Sequence, residues 1–143
     1  MELPIYLTLD EAEKILPDVK KKMRKIMHIN KSIDLIESID IDSEKELPEV
    51  DVALLDINKN YFKKMYFFYK ELLDLSKTGA VIKDIDEGLI DFYSNFENRD
   101  ILLCWKYGEN GITHWHEIDS GYDNRKPIEL LKKTFKNSKK LNN

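Results

Sequence analysis

From Thr8 onward the apolar positions recur with a helical period. Leu9, Ala12, Leu16, Val19, Met23, Ile26, Met27, Ile33 and Ile36 line one face of an α-helix. Thr8 and Glu11 open the run as a capping box, each side chain satisfying an N–H that the first turn leaves free. Pro17 lies inside the pattern. A proline there removes a donor and crowds the preceding turn, so a kink or a split is expected near Leu16. The pattern fades from Glu37 to Ser43, and Pro48 closes an acidic connection. A second stripe, Leu55, Phe62, Met65, Phe68, Tyr69, Leu72 and Leu75, predicts a helix over about 52–77, with Gly79 placed as its C-terminal cap. Two such helices joined by a short link predict an antiparallel hairpin. Tyr61, Phe62, Tyr66, Phe67, Phe68 and Tyr69 exceed what one stripe can hold, which implies a further layer or a partner surface.

After Gly79 the helical period gives way to short apolar runs at 80–83, 89–93, 101–107 and 112–118, separated by turn residues. The links are expected at 84–88, at 94–100 and around Asn110-Gly111. Asn-Gly is the strongest hairpin signal, because both residues tolerate positive φ. These runs predict a small antiparallel meander of three or four strands. Residues 120–126 read as a loop, and Pro127 is a good first residue for a short last helix to about Asn137. The fold class is therefore α+β in a single domain, 1–143. A long, kinked helical hairpin occupies 1–79, the antiparallel sheet 80–119, and a loop, short helix and basic tail 120–143.

Charge changes this picture in one place. The 143-residue chain carries 23 Lys+Arg against 27 Asp+Glu, a net charge of −4, so it has no general excess for nucleic acid. From Gly121 onward, however, seven basic side chains face two acidic ones; this excess of five positive charges leaves −9 for everything before it. A solvated helix end explains such a run, and a tail for a protein or RNA-containing partner is the sharper reading. No apolar run approaches the ~18–20 residues of a membrane span, so no membrane association is expected. The first eight residues lack the basic and apolar regions of a secretory leader. With a single cysteine, Cys104, the composition points to a reducing, cytoplasmic setting.

Chemistry concentrates in Thr113-His114-Trp115-His116-Glu117. Strand side chains alternate faces, so His114 and His116 point the same way and form a metal-ligand pair suited to a divalent transition metal. A two-residue turn at Glu109-Asn110 or Asn110-Gly111 would place Leu103 and Trp105 beside them and Cys104 on the opposite face. Cys104 then reads as an inert core thiol and a poor third ligand. Acidic ligands would come from Asp84, Asp86, Glu87, Asp91 or Asp119. Histidines beside Trp105 and Tyr107 also suit a half-buried sheet with no metal. Arg125, just before Pro127, is a candidate for anion binding at a helix start; pairing with Glu117, Glu109 or Asp91 is its structural alternative.

The runs Asp86-Glu87-Gly88-Leu89-Ile90-Asp91-Phe92, Leu103-Cys104-Trp105, Gly108-Glu109, Trp115-His116-Glu117, Gly121 and Arg125-x-Pro127, with the opening Leu7-Thr8-Leu9-Asp10-Glu11-Ala12 and Leu16-Pro17, resemble a prokaryotic family of small uncharacterised proteins. The resemblance spans Leu7 to Ile128 and implies an architecture without an assigned activity. In that pattern the motif histidine corresponds to His116, which moves attention from the His114/His116 pair to Glu87, Asp91, Glu109, His116, Glu117 and Arg125. Two functions are expected from these residues. One is a non-enzymatic binding module, a homodimer through its aromatic helices, acting on a protein or RNA-containing assembly. The other is a metal- or anion-binding enzyme centred on His116 with Asp91, Glu117 and Arg125.

Overall fold

The computed structural model describes residues 3–39 and 52–132; the acidic connection and the lysine-rich segment after 132 lie outside the described residues. Helix α1, Leu9–Glu37, starts on the capping box. Glu11 N–H donates to Thr8 Oγ1 at 3.2 Å, and the Thr8 N–H donates back to Glu11 Oε1 at 3.4 Å. Of the kink or split expected near Leu16, the split does not occur: α1 runs unbroken through Pro17. Pro17 and Glu13 both sit on the exposed face, where water can bind the Glu13 carbonyl that the proline leaves without a donor. Ala12, Leu16, Val19, Met23, Ile26 and Ile33 form the buried stripe.

Helix α2, Val52–Ser76, ends at a Thr78–Gly79 turn with Gly79 at φ 99°, a left-handed position that favours glycine. The two helices are antiparallel. Glu37 at the end of α1 accepts from Tyr61 Oη at 2.9 Å, and Lys25 reaches Glu71, further along α2, at 4.0 Å.

The sheet has five antiparallel strands, β1 Ala80–Asp84, β2 Leu89–Phe96, β3 Arg99–Lys106, β4 His114–Glu117 and β5 Lys126–Pro127, in the order β1-β2-β3-β4-β5. Three features depart from the sequence expectations. Residues 94–100 are not a loop: β2 and β3 continue to a two-residue turn at Glu97-Asn98, both at positive φ (51° and 60°). Pro127 opens no helix but pairs with His114 in the short edge strand β5, where a missing N–H is tolerated; helical geometry begins at 129–132.

The third departure matters most. Asn110-Gly111 does not form a two-residue hairpin, because β3 and β4 are joined by a longer link, 107–113. Glu109 folds back onto β3 at its centre. Its carbonyl accepts from Trp105 Nε1 at 3.0 Å and its carboxylate accepts from the Lys106 N–H at 3.0 Å. The resulting register pairs Cys104 with His114 and Leu102 with His116. One residue of slip relative to a tight turn exchanges the two faces. Cys104 therefore shares a face with both histidines, and the expectation that it lies opposite them is corrected.

On the other face, Ile90, Phe92, Leu103, Trp105 and Trp115 share one core with Ala12, Val19, Met23 and Leu75 of the helices. The face bearing Asp91, Cys104 and His116 is covered instead by residues 118–122. Among the described residues, no helix is long and apolar enough to cross a membrane.

Candidate functional site

Three neighbouring strands each contribute one chemically capable side chain to the loop-covered face. Asp91 on β2 sits directly across from Cys104 on β3, and His116 on β4 lies one diagonal step away. All three are buried. His116 Nδ1 is 2.8 Å from the Glu117 carbonyl oxygen, which can only accept, so Nδ1 carries a proton. His116 Nε2 is 3.1 Å from Asp91 Oδ2. The second bond needs a proton as well, carried either by the imidazole facing a carboxylate or by a carboxylic acid facing the nitrogen lone pair. The Asp91–His116 pair therefore holds one shared proton in a site nearly closed to water.

Cys104 completes the group as a thiol. Burial, with the Asp91 charge adding to it and Arg125 opposing, pushes its pKa up to about 12. At neutral pH the unliganded side chain is protonated, a poor starting point for a nucleophile.

Arg125 closes one side of the cluster, held by a different acid. Its Nη1 is 2.8 Å from Glu109 Oε1, and its guanidinium stacks 4.1 Å from the centre of the Tyr122 ring. Burial alone would lower the Arg125 pKa, but the Glu109 hydrogen bond and charge outweigh it and the net shift is upward. The backbone bond from Lys106 to Glu109 ties this pair to the end of β3, so the loop before β5 is pinned to the sheet.

The polar residues singled out in the sequence thus divide. Asp91, His116 and Arg125 come together around Cys104, and Glu109 joins them through its bond to Arg125. Glu117 lies on the opposite face, 2.8 Å from Arg99 and 3.6 Å from Lys126, and the Arg99 guanidinium holds its carboxyl below the ordinary range. Glu87 is an exposed partner of Lys106 at 3.0 Å. His114 shares the face of His116, but its Nδ1 bonds Thr113 Oγ1 at 2.8 Å, and the converging donor set among the described residues is Asp91, Cys104 and His116. Cys104 is the member that sequence reasoning set aside. The clue was Glu109, a residue able to cap the end of β3 and shift the register of β4 by one position.

A cavity of about 200 Å³ borders the cluster, with Asp91, Cys104 and His116 along the sheet and Ile118, Ser120 and Tyr122 along the covering loop. That is below the roughly 300–1,000 Å³ of drug-sized sites and suits water or a small ion. A larger groove of about 420 Å³ lies between Leu3, Ile5 and the sheet edge at Val81 and Tyr93, away from the cluster.

With this geometry in view, comparison with known proteins gives a family but no function. A family model described as an uncharacterized conserved protein (DUF2203) matches residues 6–128, and the chain belongs to that family. No curated protein matches the chain, and no solved structure does.

Proposed function

We propose that this DUF2203 protein is a cytoplasmic interaction module that pairs with a second copy of itself and presents its lysine-rich end to a protein or RNA-containing partner. One observation carries the pairing. Val52, Leu55, Phe62, Tyr66, Tyr69 and Leu73 of α2 are each more than half exposed. They stand three, seven, four, three and four residues apart, with only Lys59 interrupting a heptad seam. Phe68, Leu72 and Leu75, on the other side of α2, already pack into the core. A helix with two apolar stripes and one covered by its own chain is suited to meeting another helix. A two-fold axis satisfies the second stripe with itself and needs no separate complementary surface.

Sedimentation velocity tests this directly. The wild-type chain is expected to be a dimer at micromolar concentration, and Phe62→Glu with Tyr66→Glu is expected to give a folded monomer. A wild-type monomer throughout that range would reject the pairing. The partner arm rests on the +5 excess from Gly121 onward and is tested separately. RNA binding should weaken steeply with salt and on truncation after Phe135, and a salt-independent result would reject it.

A second reading, an enzyme centred on His116, draws on the Asp91–His116 pair along the wall of a cavity. Arg125 would stand beside it, and Glu117, on the far face, would take no part. Its test is a turnover screen in which His116→Gln abolishes activity while the far-ultraviolet circular dichroism is unchanged.

A further inference from the structure

Asp91, Cys104 and His116 each offer one ligand atom, and these atoms lie within 4.8 Å of one another on the loop-covered face. We infer that this cluster is a binding site for a zinc-class divalent metal, with three protein ligands and a fourth position opening into the cavity under Ser120 and Tyr122. The inference shares its location with the His116-centred reading but asks only for binding, not for turnover.

Several observations point the same way. The donor set mixes sulfur, imidazole nitrogen and carboxylate oxygen, the combination that suits zinc. Three protein ligands with one open position is also the arrangement of zinc sites that exchange water. The ligands come from three adjacent hydrogen-bonded strands, so their spacing is set by the sheet and not by a loose loop. The bond from His116 Nδ1 to the Glu117 carbonyl fixes the tautomer that leaves Nε2 as the ligand atom, the outer-shell bond that metal-binding histidines commonly make. Metal–ligand bonds of about 2.0–2.3 Å imply ligand separations of roughly 3.3–3.8 Å in a tetrahedron, so side-chain movements of about 1 Å close the set.

The charge balance also closes. When the metal binds, Cys104 loses its thiol proton and the Asp91–His116 pair loses its shared proton, while metal–sulfur, metal–nitrogen and metal–oxygen bonds form. Two positive charges enter and two protons leave, so the burial of net charge is unchanged. Arg125, the cation that interacts with Cys104, is already matched by Glu109. Lys83 and Tyr122 are the other titratable side chains lining the cavity.

Cobalt(II) titrated into the metal-free full-length chain tests the site. The chain has one cysteine, so a sulfur-to-cobalt charge-transfer band can only report Cys104. One equivalent should saturate the band, and calorimetry in buffers of different ionisation enthalpy should count two protons released per ion. Cys104→Ser should abolish the band. His116→Gln and Asp91→Asn should each weaken binding by at least about 100-fold. His114→Gln should bind as the wild type does. A folded wild-type chain that gives no band at stoichiometric cobalt overturns the proposal, and so does wild-type affinity in His116→Gln. Cobalt binding without turnover in any screen upholds the metal site and removes only the enzyme reading.

Discussion

Under the helices the sheet presents Ile90, Phe92, Leu103, Trp105 and Trp115 to a continuous apolar core; under the 118–122 loop it presents Asp91, Cys104 and His116, with Arg125 and Glu109 alongside. Both faces are covered, but they are stabilised in different ways. Each apolar side chain touches many neighbours and no single one is essential to it. Each polar side chain on the other face depends on a few specific partners, and removing one strands a buried donor, acceptor or charge. The helix-covered face is therefore sensitive to volume, and the loop-covered face to chemical identity.

The largest expected effect tests the volume side. Phe92→Ala should cost about 3–5 kcal/mol in urea denaturation, since it opens a cavity in the fully buried core. A loss below about 1 kcal/mol would mean that this face is not packed as described. Next comes the buried pair. Asp91→Leu and His116→Leu should each cost about 3 kcal/mol, and the double variant distinctly less than their sum, because one substitution strands the group that the other removes. Additive losses would show that the pair is not coupled.

Glu109→Gln should cost less, about 1–2 kcal/mol, since water reaches part of the Arg125–Glu109 pair. Loosening of the 118–125 loop in hydrogen exchange, with the helices unaffected, is the accompanying signature. A further effect, confined to alkaline solution, is a dependence on pH. The folded-state pKa of Cys104 lies near 12, above the unfolded thiol at about 8.5. Over that window the unfolded chain binds fewer protons than the folded one, so the stability held below pH 8.5 declines as pH rises toward 12. Cys104→Ala should flatten that alkaline decline, and an unchanged slope would contradict a buried thiol here.

Much of the architecture was readable from local pattern. The Thr8–Glu11 box, the α1 stripe, the Gly79 cap and the first four strand positions each depend on side chains a few residues apart, and periodicity reports such relations directly. The misses come from longer-range effects. Glu97-Asn98 adopts left-handed backbone although glutamate has little preference for it, because the pairing of β2 with β3 brings the strand ends within a two-residue turn. Pro127 reads as a helix start and is an edge-strand residue because β4 has a free side beside it.

The candidate site divides along the same line. Its residue types, a histidine among carboxylates with an arginine nearby, were visible in the chain, and so was the α2 surplus of rings. Which of them meet was not. Glu109 folds onto β3 and centres the link to β4 on itself, and that one-residue difference carried Cys104 from the far face to a place beside Asp91 and His116. Element type follows from neighbours in sequence, whose spacing a period can report. Convergence follows from strand register, and in a sheet a single residue of register is the difference between one face and the other.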